Sequence, residues 1–415
     1  MERIDFPLTG NSIIMAVVIL IHVFFAFFAV GGSILAVVSE WVGRRKNNDH
    51  YVDLARRVTK FLSDMMKING VLGVAIVVLT LGLWGTFARL LYSATFWLFL
   101  TEGIFFLVLM IFSILYNRTW DKVPPGRHLF YGIVTGFSAL LTAFFINAVW
   151  AFMMTPGEWL VSQNRWDAFC TPILWESFLH MIIPCVLNGA FFIFIWTYWK
   201  SRTADHDHEY YDQTNRFMGR IAGVFVFLQP LSGLSFLFKV KSATQNLPTP
   251  NPWQQIWSGV GQTYLHMMMT LAGLGLIFAI LYWILGHKKG RKFLLVTALL
   301  FFTAYAMGGF TREKARKPYL IWGAMPMNQK VILKSETTDE ISGKAIYDDW
   351  ECGACHTMNG VGGNIGPELI SLHESYTVEE MMAFLVEPPE DMPPFEGSEE
   401  ELKALSEYLL EASKE

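Results

Sequence analysis

Eight runs of apolar residues, each long enough to cross a bilayer, constrain this 415-residue chain more than any other feature. They occupy about 12–39, 68–92, 94–116, 129–154, 171–199, 217–238, 258–286 and 293–310. A hydrocarbon core about 30 Å thick takes roughly 20 helical residues, and peptide groups without water must bond within the helix. The connections alternate in charge. Residues 41–67, 117–127, 200–220 and 287–292 hold 7, 3, 4 and 4 Lys or Arg, whereas the N-terminus and the other loops hold Arg3, Arg89, Arg165, and Lys239 with Lys241. Inside loops carry the basic excess, so both ends of the chain are expected outside. The first apolar run is too long for the core of a cleavable signal, so it is expected to act as its own anchor.

Charge marks off a second region. From Gln329 onward there are 5 Lys, no Arg and 20 Asp or Glu, a net −15, which leaves +11 on the remainder of a chain whose formal charge is −4. Such an acidic module suits a basic partner, or serves solubility alone. It contains Cys352-Gly353-Ala354-Cys355-His356, a C-x-x-C-H run that attaches a c-type haem through two thioethers, with His356 as an axial ligand. Met392, 36 residues on and followed by two prolines, is the expected sixth ligand, since a His/Met pair raises the potential of an electron-carrying haem. Met381 and Met382 compete for that place but lie in a helical run after Thr377, where methionine usually packs a core. A zinc site would need about four Cys or His ligands, and only His373 is to spare. Haem c is attached outside the cytoplasmic membrane, in agreement with the loop charges. Cys170 and Cys185 read as members of one helix, roughly 22 Å apart and too far for a disulfide.

Ionisable and metal-binding side chains are costly in lipid, so each one within a span is a functional candidate. His22, Glu102, His180 and His266 lie in the first, third, fifth and seventh spans, all roughly 12–15 Å below the outer surface at 1.5 Å per residue. Glu313 closes this layer from the outer end of the eighth. Three histidines at one depth beneath a haem c suggest b-type haems between facing helices. Met267, Met268 and Met269 share a turn with His266, so the seventh span offers nitrogen or sulfur, and the residues alone do not choose.

Several short motifs, taken in order, resemble the haem-bearing large subunit of cytochrome bd oxidases over about residues 1–325. They are Ile21-His22-Val23-Phe24, Lys67-Ile68-Asn69-Gly70-Val71-Leu72-Gly73-Val74, Thr101-Glu102-Gly103, Ile146-Asn147-Ala148-Val149-Trp150, Phe178-Leu179-His180 and Arg312-Glu313-Lys314-Ala315-Arg316-Lys317-Pro318-Tyr319. The resemblance implies that His22 ligates one high-spin haem and that Glu313 ligates or flanks another. It implies that His180 holds a low-spin b haem with a methionine best matched by Met269, that Glu102 serves the haem pair and its proton supply, and that Arg316 meets haem propionates. Arg316 and its basic neighbours are equally read as an interfacial patch. The chain departs from the family at Met110, where a second acid is usual, and at Met267, where an arginine is usual with His266 as an additional possible ligand. A short Lys239–Trp257 segment replaces the long external quinol loop, and the haem c module stands where the family has a further helix.

The expected fold is all-α: a polytopic bundle of about eight transmembrane helices over 1–325, a linker at 326–334, and a small all-α cytochrome c domain over 335–415. The expected cofactors are one covalent haem c and two or three b-type haems, one of which the resemblance allows to be haem d. The expected function is that of a terminal oxidase in a bacterial or archaeal cytoplasmic membrane, passing electrons from an external cytochrome c to O2 beside a second membrane subunit. Nucleic acid is not an expected partner. An electron-transfer subunit linking a quinol to external cytochrome c, or reduction of nitric oxide, is the alternative.

Overall fold

The computed structural model describes residues 11–83, 85–162, 164–203, 207–245, 251–259, 261–318, 342–350, 352–358, 361–362, 366–389, 392, 394–395 and 397–414. They fall in two compact units, the larger spanning Met15–Pro318 and the smaller carrying the described residues from 342 onward. The expected boundaries at 325 and 335 and the linker between them lie outside the described residues.

The larger unit is a helix bundle. Its elements are α1 (Asn11–Lys46), α2 (Asp49–Leu83), α3 (Gly85–Arg118), α4 (Pro125–Met154), the short α5 (Trp159–Ser162) and α6 (Arg165–Phe169), α7 (Leu174–Thr203), α8 (His208–Thr244), the short α9 (Pro252–Trp257) and α10 (Gln262–Pro318). Among the described residues, seven helical segments are long and apolar enough to cross a membrane. The last is two spans in one. A straight helix of 57 residues would reach about 85 Å, but α10 turns back at Gly286, whose φ of +67° with ψ of 171° belongs to glycine. Thr297 donates to the Gly275 carbonyl at 3.2 Å, and Phe278 stacks on Phe293 and Tyr264 packs on Phe310, with ring centroids 6.0 and 5.5 Å apart. These pairs are symmetric about residue 286, as in an antiparallel hairpin. With α10 counted as two, the described residues hold eight apolar helical segments of spanning length, in line with the eight apolar runs.

Helix ends differ from the apolar runs in two places. The second run is expected to continue to residue 92, but α2 ends at Leu83 and α3 starts at Gly85, with a kink at Thr95. The residues at both of these ends are themselves apolar or glycine, so hydropathy does not register them. Cys170 is not in one helix with Cys185: it caps α6, whose start Asn164 holds by accepting from the Trp166 amide, and α7 begins only at Leu174.

Packing in lipid depends on close contact rather than on hydrophobic transfer, so small residues mark the crossings. α1 meets α7 backbone to backbone. A Cβ on Gly31 would collide with the Cys185 carbonyl, and one on Gly189 would lie 3.0 Å from the Gly31 carbonyl carbon. Around this crossing Phe27, Phe28, Leu62, Met66, Met181 and Cys185 form one buried cluster.

The smaller unit comprises α11 (Gly343–Asp349), a 3-10 turn at Cys352–Ala354, strands β1 (Thr357–Met358) and β2 (Val361–Gly362), then α12 (Leu372–Ser375), α13 (Val378–Val386) and α14 (Glu399–Ala412). The antiparallel pairing of β1 with β2 is a small departure from the all-α expectation, two residues per strand beside the haem motif. α11 crosses α14 at Gly343, where a Cβ would enter the Ala404 carbonyl. Capping boxes, Thr377 with Glu380 and Ser398 with Glu401, start α13 and α14. Tyr347, Met381, Leu385, Phe395, Leu402, Leu405 and Leu409 form the core, each large apolar side chain contributing about 1.5–3 kcal/mol by burial.

Candidate functional site

In the smaller unit, the backbone turn at Cys352 brings both thiols and His356 to one side of the chain: the amides of Cys355 and His356 both donate to the Cys352 carbonyl, at 3.2 and 3.1 Å. His356 Nδ1 lies 2.7 Å from the Pro367 carbonyl oxygen. A carbonyl only accepts, so Nδ1 carries the hydrogen and Nε2 keeps its lone pair for a metal. Gly366 lets the chain pass under this ring, for a Cβ there would stand 2.5 Å from His356 Cε1. Met392, on a turn closed by its amide to the Pro389 carbonyl at 2.9 Å, packs with Cys352 and Phe395 against the core. Met381 is itself buried in that core, and Met382 lies partly buried beside it. The donor set suits haem c: two free thiols, an oriented imidazole and a thioether sulfur. Burial pushes the Cys352 thiol up to about 12.

In the larger unit, two of the candidate histidines rest on a glycine of a neighbouring helix. His22 Cε1 lies 3.3 Å from where a Cβ of Gly73 would stand on α2. Its Nδ1 is buried and closes no well-formed hydrogen bond among the described residues, although the Asn69 backbone carbonyl is near enough to interact with the ring. His180 on α7 lies against Gly233 of α8, at 3.2 Å by the same measure. Its Nδ1 is 3.1 Å from Ser232 Oγ and 3.2 Å from Gln229 Nε2, and its ring stacks on Phe236 at 5.5 Å. Gly73, Gln229, Ser232, Gly233 and Phe236 were not among the candidates. Gln229 and Ser232 are polar residues inside an apolar span, a signal of the same kind as the histidines.

Cross-helix contacts put most of the remaining candidates at one level of the bundle. Phe105 stacks on Phe145 at 5.8 Å, which sets Glu102 near residues 147–150 of α4. Asn147 Nδ2 donates to Ser177 Oγ at 2.9 Å, one turn from His180. Arg312 Nη2 donates to the Trp150 carbonyl at 2.9 Å and sets Glu313 beside it on α10. Glu102 is half-buried in α3, with no hydrogen bond or ion pair among the described residues. His266 and Met269 lie one turn apart on the exposed side of α10, Met269 being 50% exposed; no hydrogen bond or ring contact among the described residues joins either to His180. Met268 instead turns inward against Gly308. Arg316 is in the last turn of α10, and its side chain lies outside the described residues. Imidazole and carboxylate donors at one level of the bundle, with glycine beside two of the imidazole rings, suit flat macrocyclic haems.

Comparison with known proteins agrees with this division. The profile described as cytochrome bd terminal oxidase subunit I matches residues 12–240, and that described as cytochrome C oxidase, cbb3-type, subunit III matches residues 339–409. The chain is 24% identical over 227 residues to the putative cytochrome bd menaquinol oxidase subunit I of Bacillus subtilis (strain 168), covering 51% of this chain and 50% of that one. It is 29% identical over 112 residues to a nitric oxide reductase subunit of Paracoccus denitrificans, covering 22% of this chain and 75% of that one. It spans about half the length, or less, of the curated bd relatives it matches. The bd oxidase structure from Geobacillus thermodenitrificans superposes with a TM-score of 0.66 at 21% identity, covering 78% of this chain and 93% of that one, a likeness of fold. The chain belongs to the cytochrome bd oxidase subunit I family and carries a cbb3-type cytochrome c domain at its C-terminal end.

Proposed function

We propose that this chain is the haem-bearing subunit of a membrane oxidase that takes electrons from an external cytochrome c through its fused haem c and delivers them to O2 at haems within the bundle. One observation carries the reading: a bd-type bundle and a C-x-x-C-H module with an iron-ready His356 are encoded in a single chain. When bound, the haems supply one-electron transfer and an iron position open to a diatomic molecule. The protein's share is orientation and charge. His356 is held by Pro367, His180 by Ser232 and Gln229, and Glu102 is a carboxylate free to exchange a proton. We assign His22 and Glu313 to the high-spin haems, His180 with Met269 or His266 to the low-spin haem, and Arg316 to propionate contact. Both termini are assigned to the outer face, and a second membrane subunit is expected to complete the assembly. The acidic module, at −15, suits a basic donor.

Two relatives bear the names menaquinol and ubiquinol oxidase, but the short Lys239–Trp257 segment disfavours quinol as donor here. The likeness of the C-terminal module to part of a nitric oxide reductase supports a second reading, with nitric oxide as acceptor. Oxygen and nitric oxide consumption by the purified complex, fed with reduced cytochrome c, separates the two. Uptake of O2 without nitric oxide turnover is the expected result.

A further inference from the structure

Two features at the basic end of the bundle, where α1 finishes in Arg44, Arg45 and Lys46, have no part in the haem sites. One is an open cleft of about 600 Å3 between the α1–α2 and α3–α4 turns, lined by Arg44, Asp49, Asp53, Arg56 and Asp121 among others. Arg56 reaches across to Asp121 and lies over the Trp120 ring at 5.1 Å. The other is a buried polar cluster directly behind Arg44. Arg44 Nε donates to Glu40 Oε1 at 2.6 Å, Tyr116 OH donates to Glu40 Oε2 at 2.7 Å, and His128 Nδ1 lies 2.8 Å from Oε1. Glu40 and Tyr116 are wholly buried and His128 is 1% exposed.

The donor and acceptor roles fix where the protons are. His128 Nε2 is 3.0 Å from the Tyr116 carbonyl oxygen, which only accepts, so Nε2 carries a hydrogen. One further proton is shared between His128 Nδ1 and Glu40 Oε1. On Nδ1 it makes an imidazolium beside a carboxylate; on Oε1 it leaves both groups neutral. Arg44 and Tyr116 donate to the carboxylate, and the Trp120 ring packs on His128 with centroids 4.0 Å apart. Glu40 thus faces a cation on the cleft wall and a proton carrier on its inner side.

Beyond Tyr116 the polar groups continue along α3 and α4. Ser113, Thr135 and Ser138 are buried, and Thr142 Oγ1 is buried with no hydrogen-bond partner. Thr135, Ser138 and Thr142 share one face of α4 at i, i+3 and i+7, in steps of about 4.5–6 Å that a single water spans. The Phe105–Phe145 stack sets Glu102 level with residues 147–150, so the far end of this series, Thr142, lies roughly 9 Å short of it along the helix axis. Met110 occupies the position where a second acid would carry protons along α3.

We propose that Glu40 and His128 form the proton-entry site of this chain, loaded from the cleft and leading along the α3–α4 series toward Glu102. The proposal rests on the oxidase reading, since reducing O2 to two waters takes four protons with four electrons. At the entry site, a donor acid in the cleft loses a proton and the Glu40–His128 pair gains it, with no redox change. The charged and titratable groups facing the pair are Arg44 on α1, Tyr116 on α3 and, from the cleft, Asp49, Asp53, Arg56 and Asp121.

The test uses the full-length protein in its purified complex, measuring haem content, b-haem reduction by a chemical donor, and O2 uptake against pH. Glu40→Gln and His128→Gln are expected to keep haem content and the reduction rate while losing about tenfold or more in O2 uptake. Formate, small enough for the cleft, is expected to restore Glu40→Ala. Tyr116→Phe deletes a single hydroxyl, and a shifted pH profile in that variant supports the proposal even if the Glu40 variants lose haem. Wild-type O2 uptake and an unchanged pH profile in Tyr116→Phe and in the haem-replete Glu40 and His128 variants would overturn the entry site alone. Wild-type protein that takes up no O2 would instead remove the oxidase reading beneath it.

Discussion

At the scale of single residues, the chemistry depends on which nitrogen of each histidine is already engaged. His356 gives Nδ1 to the Pro367 carbonyl, so its Nε2 is the natural metal ligand, whereas Gln229 Nε2, which only donates, lies within reach of both ring nitrogens of His180, at 3.2 and 3.4 Å. His180→Leu should remove a low-spin b signal from the reduced spectrum and leave haem c intact; loss of a high-spin band alone would reverse the assignments of His22 and His180. A further residue-scale prediction concerns Glu380, whose carboxyl is held below the usual range by hydrogen bonds from the Thr377 amide and hydroxyl. A depressed folded-state pKa stabilises above the unfolded value and is lost as pH falls through the folded one. Unfolding of the module, followed by its haem c absorbance, should therefore lose stability on acidification, less steeply in Thr377→Ala. The membrane histidines were legible in the sequence because charge and metal ligands stand out against lipid, and the C-x-x-C-H run because its spacing is specific to haem c. Glu40 and His128 were not, because each lies one residue outside an apolar run and reads as part of a charged loop. Only the fold shows them buried together.

At the scale of elements, glycines decide which helices can meet. Gly31 and Gly189 bring α1 against α7 with no room for a side chain. Gly31→Ala should cost about 1–3 kcal/mol by overpacking, seen as a lower midpoint of loss of the b-haem spectrum on heating, with covalent haem c unaffected. Gly286→Ala forces a Cβ into the hairpin's left-handed turn, a strain of about 1–3 kcal/mol, and should lower the same midpoint. The number and order of spans could be read from hydropathy, since lipid demands about 20 apolar residues per crossing. The helix end at Leu83 and the early end of the helix before Cys170 could not, because Gly and Leu, or a Cys-Thr-Pro stretch, keep the hydropathy from falling there. The cradles at Gly73 and Gly233 depend on which helices become neighbours, and periodicity along one helix carries no such information.

At the scale of the whole molecule, a bd-type bundle is joined in one chain to a cbb3-type cytochrome c domain, and the route proposed above runs from that domain to a small molecule in the membrane. Cys352→Ala with Cys355→Ala should abolish covalent haem while the b-haem spectrum remains, and O2 uptake driven by reduced cytochrome c should fall to background. Covalent haem surviving in that variant would show that the motif does not attach it. The most direct test of the oxidase reading is a carbon monoxide difference spectrum of the dithionite-reduced complex, with the haem types identified by extraction. Carbon monoxide is predicted to bind a non-covalent haem, because an iron that reduces O2 must have an open position. A spectrum with no carbon monoxide bound to any non-covalent haem would mean that every membrane iron is closed, and the chain would carry electrons without reducing O2.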